Sequence, residues 1–316
     1  MRNLILTTLR SISAAALLLA SARAQLTEPG SLLVYPEFDN RPGHTTVVTV
    51  TNTESFGASV RAHFIFVDAV SCNEFDRSEI LTPNDTFSAI TTSFVSGVPR
   101  GFGYVFAQST GGQAISHNHL VGMTSHLDGI AAMSYSLAAV TFRSPRAQGA
   151  NTDLDFDGVR DLDGLEYNAC FEEVLVPRFL GQRGTFQEEL ILIPLSGGSA
   201  FTTTARFLVY NDNENVFSAS YPVRCWARVP LTSISSVFTQ TFLASTNDDP
   251  GESLAGRETG WFVLDGGTAT SGTATIQDPA LLGVLISPEA GGGPILPYGR
   301  GTQTNAGLLP HGVFGD

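Results

Sequence analysis

The chain has 316 residues, with 17 basic residues against 30 acidic ones and a net charge of −13, and every basic residue is Arg. At 42% hydrophobic and 15% charged residues, it is excluded from wholesale disorder. The lack of Lys excludes Schiff-base, P-loop and Ser-Lys chemistry, and the acidic balance argues against nucleic acid as a partner.

Met1-Arg2-Asn3 is a short basic start, Ile12 to Ala20 is apolar, and Ala22-Arg23-Ala24 presents small residues where signal peptidase reads. Residues 1–24 are therefore expected to be a signal peptide cleaved between Ala24 and Gln25, sending the protein to a periplasmic or extracellular space. The apolar run is too short to span a bilayer, and with no Cys at the cleavage point a lipoprotein is not expected. No integral membrane anchor is expected in the mature chain, which would carry 14 Arg against 30 acids.

Next come strand-like runs such as Thr45–Thr51 and Val60–Val67, separated by Asn, Ser and Gly turns. The fold class expected is all-β. Blocks recur in one order: Arg61–Asp68 with Thr204–Asp212, Ala89–Val95 with Val237–Leu243, Gly103–Phe106 with Gly260–Val263, and Leu120–Gly122 with Leu281–Gly283. This self-similarity predicts two tandem antiparallel β-sandwich domains from an internal duplication, at 25–145 and 171–290. Phe64 and Phe207 should then be equivalent, as should Phe94 and Phe242. Residues 146–170 form an Asp-rich linker and 291–316 a Gly/Pro-rich tail.

Within the linker, Asp153, Asp155 and Asp157 stand at positions 1, 3 and 5 before Gly158. This spacing resembles the calcium loops of EF-hands, dockerins and thrombospondin type 3 repeats. Carboxylates so placed converge on one hard cation when Gly allows the sharp turn. Val159 would offer its carbonyl and Asp161 a direct or water-mediated contact. Position 12 is Gly164 rather than Glu, so Asp163 or Glu166 must close the site. The cofactor expected is Ca²⁺.

A second cluster, His117, His119 and His126, includes two His at i and i+2, which face one side of a strand and can chelate a transition metal. His63 is expected to face solvent. Hydrolase signatures such as G-x-S-x-G and H-E-x-x-H are missing.

The opening Gly30–Phe38 and the stretch Tyr210–Glu214 resemble secreted bacterial proteins built from tandem Ig-like or fibronectin-like sandwiches. The resemblance implies no activity. The function expected is a non-enzymatic extracellular structural, matrix or adhesion protein stabilised by calcium, with an unknown protein or glycan as partner. The alternatives are a glycan- or protein-binding module using Trp226 or Trp261 as an aromatic platform, and a metal-dependent enzyme centred on the three His. Three Cys allow one disulfide. Cys72 and Cys225 each follow the first matched strand of their copies and are expected to pair across a pseudo-twofold, although Cys170 could pair with either.

Overall fold

Short runs of β-branched and aromatic residues, interrupted every ten or so positions by Gly, Asn, Asp or Pro, build strands almost throughout. The computed structural model describes residues 28–246, 256–288, 293–295 and 297–303; the expected signal peptide and its cleavage point lie outside the described residues. The first half comprises β1 (Leu32–Asp39), β2 (His44–Asn52), β3 (Val60–Asp68), β4 (Glu74–Leu81), β5 (Thr86–Ile90), helix α1 (Thr91–Phe94), β6 (Arg100–Gln108), β7 (Leu120–Asp128), β8 (Met133–Ala138) and β9 (Val140–Phe142). The second comprises β10 (Glu173–Leu180), β11 (Glu189–Pro194), β12 (Thr202–Asn211), β13 (Val216–Val223) and β14 (Ala227–Pro230). It continues through α2 (Leu231–Ile234), α3 (Gln240–Thr246), β15 (Thr259–Ser271), β16 (Ala274–Gln277), β17 (Leu281–Ser287), β18 (Gly293–Ile295) and β19 (Tyr298–Arg300).

The two halves share one strand order. The first has sheets β5-β2-β7-β8 and β4-β3-β6-β1-β9; the second has β14-β11-β17-β18 and β13-β12-β15-β10-β19, with β16 added on β15. Neighbouring strands run antiparallel in both halves. Even the irregularities agree. β1 shifts register against β6 between Tyr35 and Phe38, and β10 shifts against β15 between Val176 and Phe179. Each shift surrounds a proline, Pro36 or Pro177, which cannot donate to the ladder and is tolerated at a bulge.

In the shared register one expected pair occupies matching positions and two do not. Phe64 and Phe207 are both buried at matching positions of β3 and β12. Gly260, opposite Phe179 and Asn211, corresponds to Gly101, opposite Phe38 and Asp68, and not to Gly103. A Cβ at Gly101 would run into the Val67 carbonyl, and one at Gly260 into that of Tyr210. A slip of two residues keeps every side chain on its own face, so the block still matched. Phe94 and Phe242 are not equivalent: Phe94 closes α1, whose counterpart is α2, whereas Phe242 lies in α3, an addition to the second half. The expected tail likewise supplies β18 and β19, which pair with β17 and β10.

Three apolar cores separate four sheet layers. Leu33, Tyr35, Phe64 and Phe66 meet Val48 and Val50 in the first half, and Leu190, Leu192 and Leu285 meet Val176, Phe207 and Phe262 in the second. The alternate residues of the same strands fill a central core. Leu32, Val34, Ile65 and Phe102 pack there against Ile191, Ile193 and Leu282. Strands covered on both faces read as unbroken apolar runs, which is why β1, β6 and β17 are buried along nearly their whole length. The 146–170 segment is no free linker, because Leu162, Tyr167 and Cys170 belong to the central core.

A seam of adjacent residues tightens this junction. Cys225 forms a disulfide with Cys72, their Cα atoms 5.7 Å apart. The Trp226 Nε1–H donates to the Pro36 carbonyl at 2.9 Å. Arg228 bonds Glu37 at 2.8 Å and Glu189 at 2.7 Å, while the Tyr135 hydroxyl donates to Glu37 at 2.6 Å. The Cys pairing is as expected, but its topological reason is different. Cys72 lies in the β3–β4 turn and Cys225 in the β13–β14 connection, which are not equivalent places. Cys170 is a free, buried thiol.

Candidate metal centre and adjoining cleft

The acidic segment folds as a chain of Asx turns. The Asp157 carboxylate accepts from the Val159 N–H at 2.7 Å, and that of Asp163 from Leu165 at 2.7 Å and Glu166 at 3.1 Å. Asp residues favour such turns because their oxygens reach backbone two positions on. Gly158 and Gly164 follow two of these Asp at φ 84° and 90°, a left-handed backbone that glycine adopts without cost. The ends of the segment are anchored on the first half: Ser116 N–H donates to the Ala150 carbonyl at 2.8 Å, and Asn168 N–H to that of Arg143 at 2.7 Å. Val159 and Leu162 are buried, whereas Leu154 and Phe156 point outward.

This folding brings Asp153, Asp155 and Glu166 together, one ligand oxygen of each within 4.8 Å of the others. It does not bring together the 1-3-5 set. Asp157 and Asp163 are committed to turns, and Glu166, two residues beyond the usual closing position, takes the third place. Glu166 is 2% exposed; its oxygens accept from the N–H groups of Leu154 and Asp161. Burial is the main cause that pushes its pKa up to about 7. Burial and the neighbouring carboxylates of Asp157, Asp155 and Asp163 raise that of Asp161 to about 6. One oxygen of Asp153 and one of Asp161 are buried with no hydrogen-bond partner among the described residues. Oxygen donors crowded this way, short of positive charge, fit a hard cation, with carbonyls and water completing the six to eight ligands calcium takes.

The three His expected to bind a transition metal form no such group. His117 Nε2 faces the Asn52 side-chain oxygen at 3.0 Å and its Nδ1 the Gln148 amide at 3.0 Å. His126 uses both nitrogens on hydroxyls, Thr46 at 3.2 Å and Thr124 at 2.8 Å. With both nitrogens committed, neither ring offers a lone pair to a metal. The His119 ring lies against that of His117, at 5.1 Å between centroids. His63 is buried rather than solvent-facing, 2.7 Å from the Ser78 hydroxyl. Burial lowers the pKa of His63, His117 and His126 to about 4. Trp226 lies in the central core and cannot be a platform; Trp261 is partly exposed but stacks on Tyr210 at 4.1 Å.

Beside the acidic loop lies a cleft of about 380 Å³ whose lining includes Phe106, Gln108, Gln113, Asn151, Phe156 and Arg160. Sequence reading passed over Arg160, although it is the one basic residue inside the acidic run. Its guanidinium donates to Asp153 at 3.1 Å and to the Gly158 carbonyl at 2.7 Å.

No protein-family model matches this chain, and no curated protein matches it. Among solved structures, the crystal structure of Thermotoga maritima 1070 is similar over 39% of this chain and 98% of its own, at 10% identity and a TM-score of 0.29. That is too slight a likeness to assign a fold.

Proposed function

We propose that the protein is a secreted, non-enzymatic extracellular component, structural or adhesive, whose two halves arose by duplication and whose acidic loop binds one Ca²⁺. The observation that carries this reading is the convergence of Asp153, Asp155 and the buried Glu166, in a loop rooted in the core shared by both halves. The shared strand order supports the duplication, and the Cys72–Cys225 disulfide suits an oxidising compartment. No helix among the described residues is long and apolar enough to cross a membrane.

An ion that binds only the folded state stabilises it by mass action, about 2.7 kcal/mol at a hundred times its Kd. The melting temperature should therefore rise with calcium and fall back on chelation. Asp155→Ala should abolish that response while the chelated protein melts as before. A full calcium response in this variant would sink the reading. A second reading, a module that binds a glycan or protein ligand, draws on the cleft beside the loop.

A further inference from the structure

We propose that this cleft binds a carboxylate-bearing sugar, of the kind a uronic acid residue presents, and that calcium in the loop makes the site competent. The proposal rests on the calcium reading and assigns that site a ligand.

Arg160 is 3% exposed, and its guanidinium lies over the Phe106 ring at 4.9 Å. One terminal nitrogen is engaged by Asp153 and the Gly158 carbonyl; the guanidinium also faces the Tyr167 hydroxyl, but Nε and the other terminal nitrogen have no partner of good hydrogen-bond distance and angle among the described residues. Buried donors left unused are costly, and more so on a charged group. The ligand that best answers a guanidinium is a carboxylate held by two parallel N–H donors. Only one terminal nitrogen of that fork is open, because Asp153 holds the other. Asp153 is also one of the three carboxylates that converge for the metal. Calcium taken up by the other, unpartnered Asp153 oxygen would draw charge from the one Arg160 holds, loosen its claim on the second nitrogen and complete the fork.

Charge supports the same order of events. Asp153 and Asp157 also line the cleft and would repel an incoming anion until a divalent cation neutralises them. The remaining walls suit a sugar. Gln108 and Gln113 offer amide donors and acceptors to hydroxyls, and Phe156 stands at the rim 80% exposed. Phe156 holds φ 61°, a conformation costly for a residue with a Cβ, so the loop displays an aromatic ring to solvent at the edge of a polar cleft. The volume falls within the roughly 300–1,000 Å³ of small-ligand sites.

Calorimetric titration of trigalacturonate into the purified protein tests the idea, with calcium and with chelator, alongside a calcium melt. Binding is expected in calcium and not in chelator. By reciprocity, trigalacturonate should tighten calcium by the same factor. Arg160→Lys, which keeps the charge and loses the fork, should weaken the sugar roughly 10- to 100-fold. Phe156→Ala, at an exposed position, should weaken it about two- to tenfold with no change in melting. A calcium-dependent melt without trigalacturonate binding would overturn the cleft proposal and leave the calcium reading standing. A missing calcium response would remove both, and binding that persists in chelator would overturn the gating. Equal binding of galactotriose or of a glutamate-rich peptide would overturn the acid-sugar assignment. So would unchanged affinity in Phe156→Ala, the variant that serves if Arg160→Lys does not fold.

Discussion

Two regions of this molecule bury charge, and they do so in opposite ways. At the seam, Glu37 is fully buried, but Arg228 and Tyr135 satisfy it and Glu189 takes the other side of the guanidinium. The cluster is closed, with acid and base supplied by opposite halves. In the loop, five Asp and Glu166 share a single Arg160, two carboxylate oxygens are buried with no hydrogen-bond partner among the described residues, and Glu166 and Asp161 hold protons at unusually high pH. The seam supplies its own counter-charge and the loop needs one from solution. The comparison teaches that a buried acid is read by what neutralises it: an internal partner marks a fastener, and a deficit marks a binding place.

The largest effect should come from the seam's covalent link. Replacing Cys72 and Cys225 with Ser opens a loop of 153 residues, and the entropic model puts the loss at about 5 kcal/mol; denaturant titration measures it. Next is Arg228→Met, which strands the Glu37 carboxylate in the interior and should cost about 3–5 kcal/mol. Adding Glu37→Gln should recover part of that loss, because it removes the orphaned charge. A double variant no more stable than Arg228→Met would break the picture of a self-neutralised cluster.

A pH series sharpens the contrast at smaller amplitude. In chelator, the folded chain keeps protons on Glu166 and Asp161 that the unfolded chain gives up. Their contribution therefore falls as pH rises from the ordinary carboxylate range through about 6 for Asp161 and about 7 for Glu166. Calcium should erase this fall by holding the carboxylates ionised. Because the buried His63, His117 and His126 pull the other way over part of this window, the readout is the difference from Glu166→Gln: a chelated variant with the same pH slope as the parent would contradict the loop assignment. His126, next to the seam, runs the other way: its pKa is about 4 against an ordinary 6.5, so its neutral form favours folding above that range and the contribution is lost as pH falls from 6.5 towards 4. His126→Gln, which can still hydrogen-bond Thr46 and Thr124, should soften that acid limb, the smallest of these effects.

The parts that were legible in the chain are local ones. Asp at alternate positions before a Gly specifies Asx turns over a dozen residues, so the candidate loop could be recognised with no knowledge of its surroundings. Phe64 and Phe207 matched because each sits in a strand whose alternation repeats. The Glu37–Arg228 cluster left no such trace, since its members are 191 residues apart and neither stands in a distinctive spacing. The shared Pro36 and Pro177 bulges carried a real signal in Tyr35-Pro36-Glu37-Phe38 and Val176-Pro177-Arg178-Phe179, and they anchor the register better than the glycine block did. The His cluster misled because i, i+2 spacing reports only that two rings share a strand face, not what else their nitrogens touch.

What the chain determined by itself was the strand content, the turns and the place of the acidic loop, because each depends on residues within a few positions of one another. Tertiary structure alone decided that the halves fuse through a third core, that Leu162, Tyr167 and Cys170 of the 146–170 segment are buried in it, and that Glu166 rather than Asp157 completes the carboxylate group. A run such as Leu190-Ile191-Leu192-Ile193 says that both faces of a strand are covered but not by what, and six neighbouring acids say that charge is concentrated but not which oxygens converge. The fusion depends on contacts between distant segments, and the carboxylate group on how a loop anchored at Ser116 and Arg143 folds back on itself; no local pattern contains those energies.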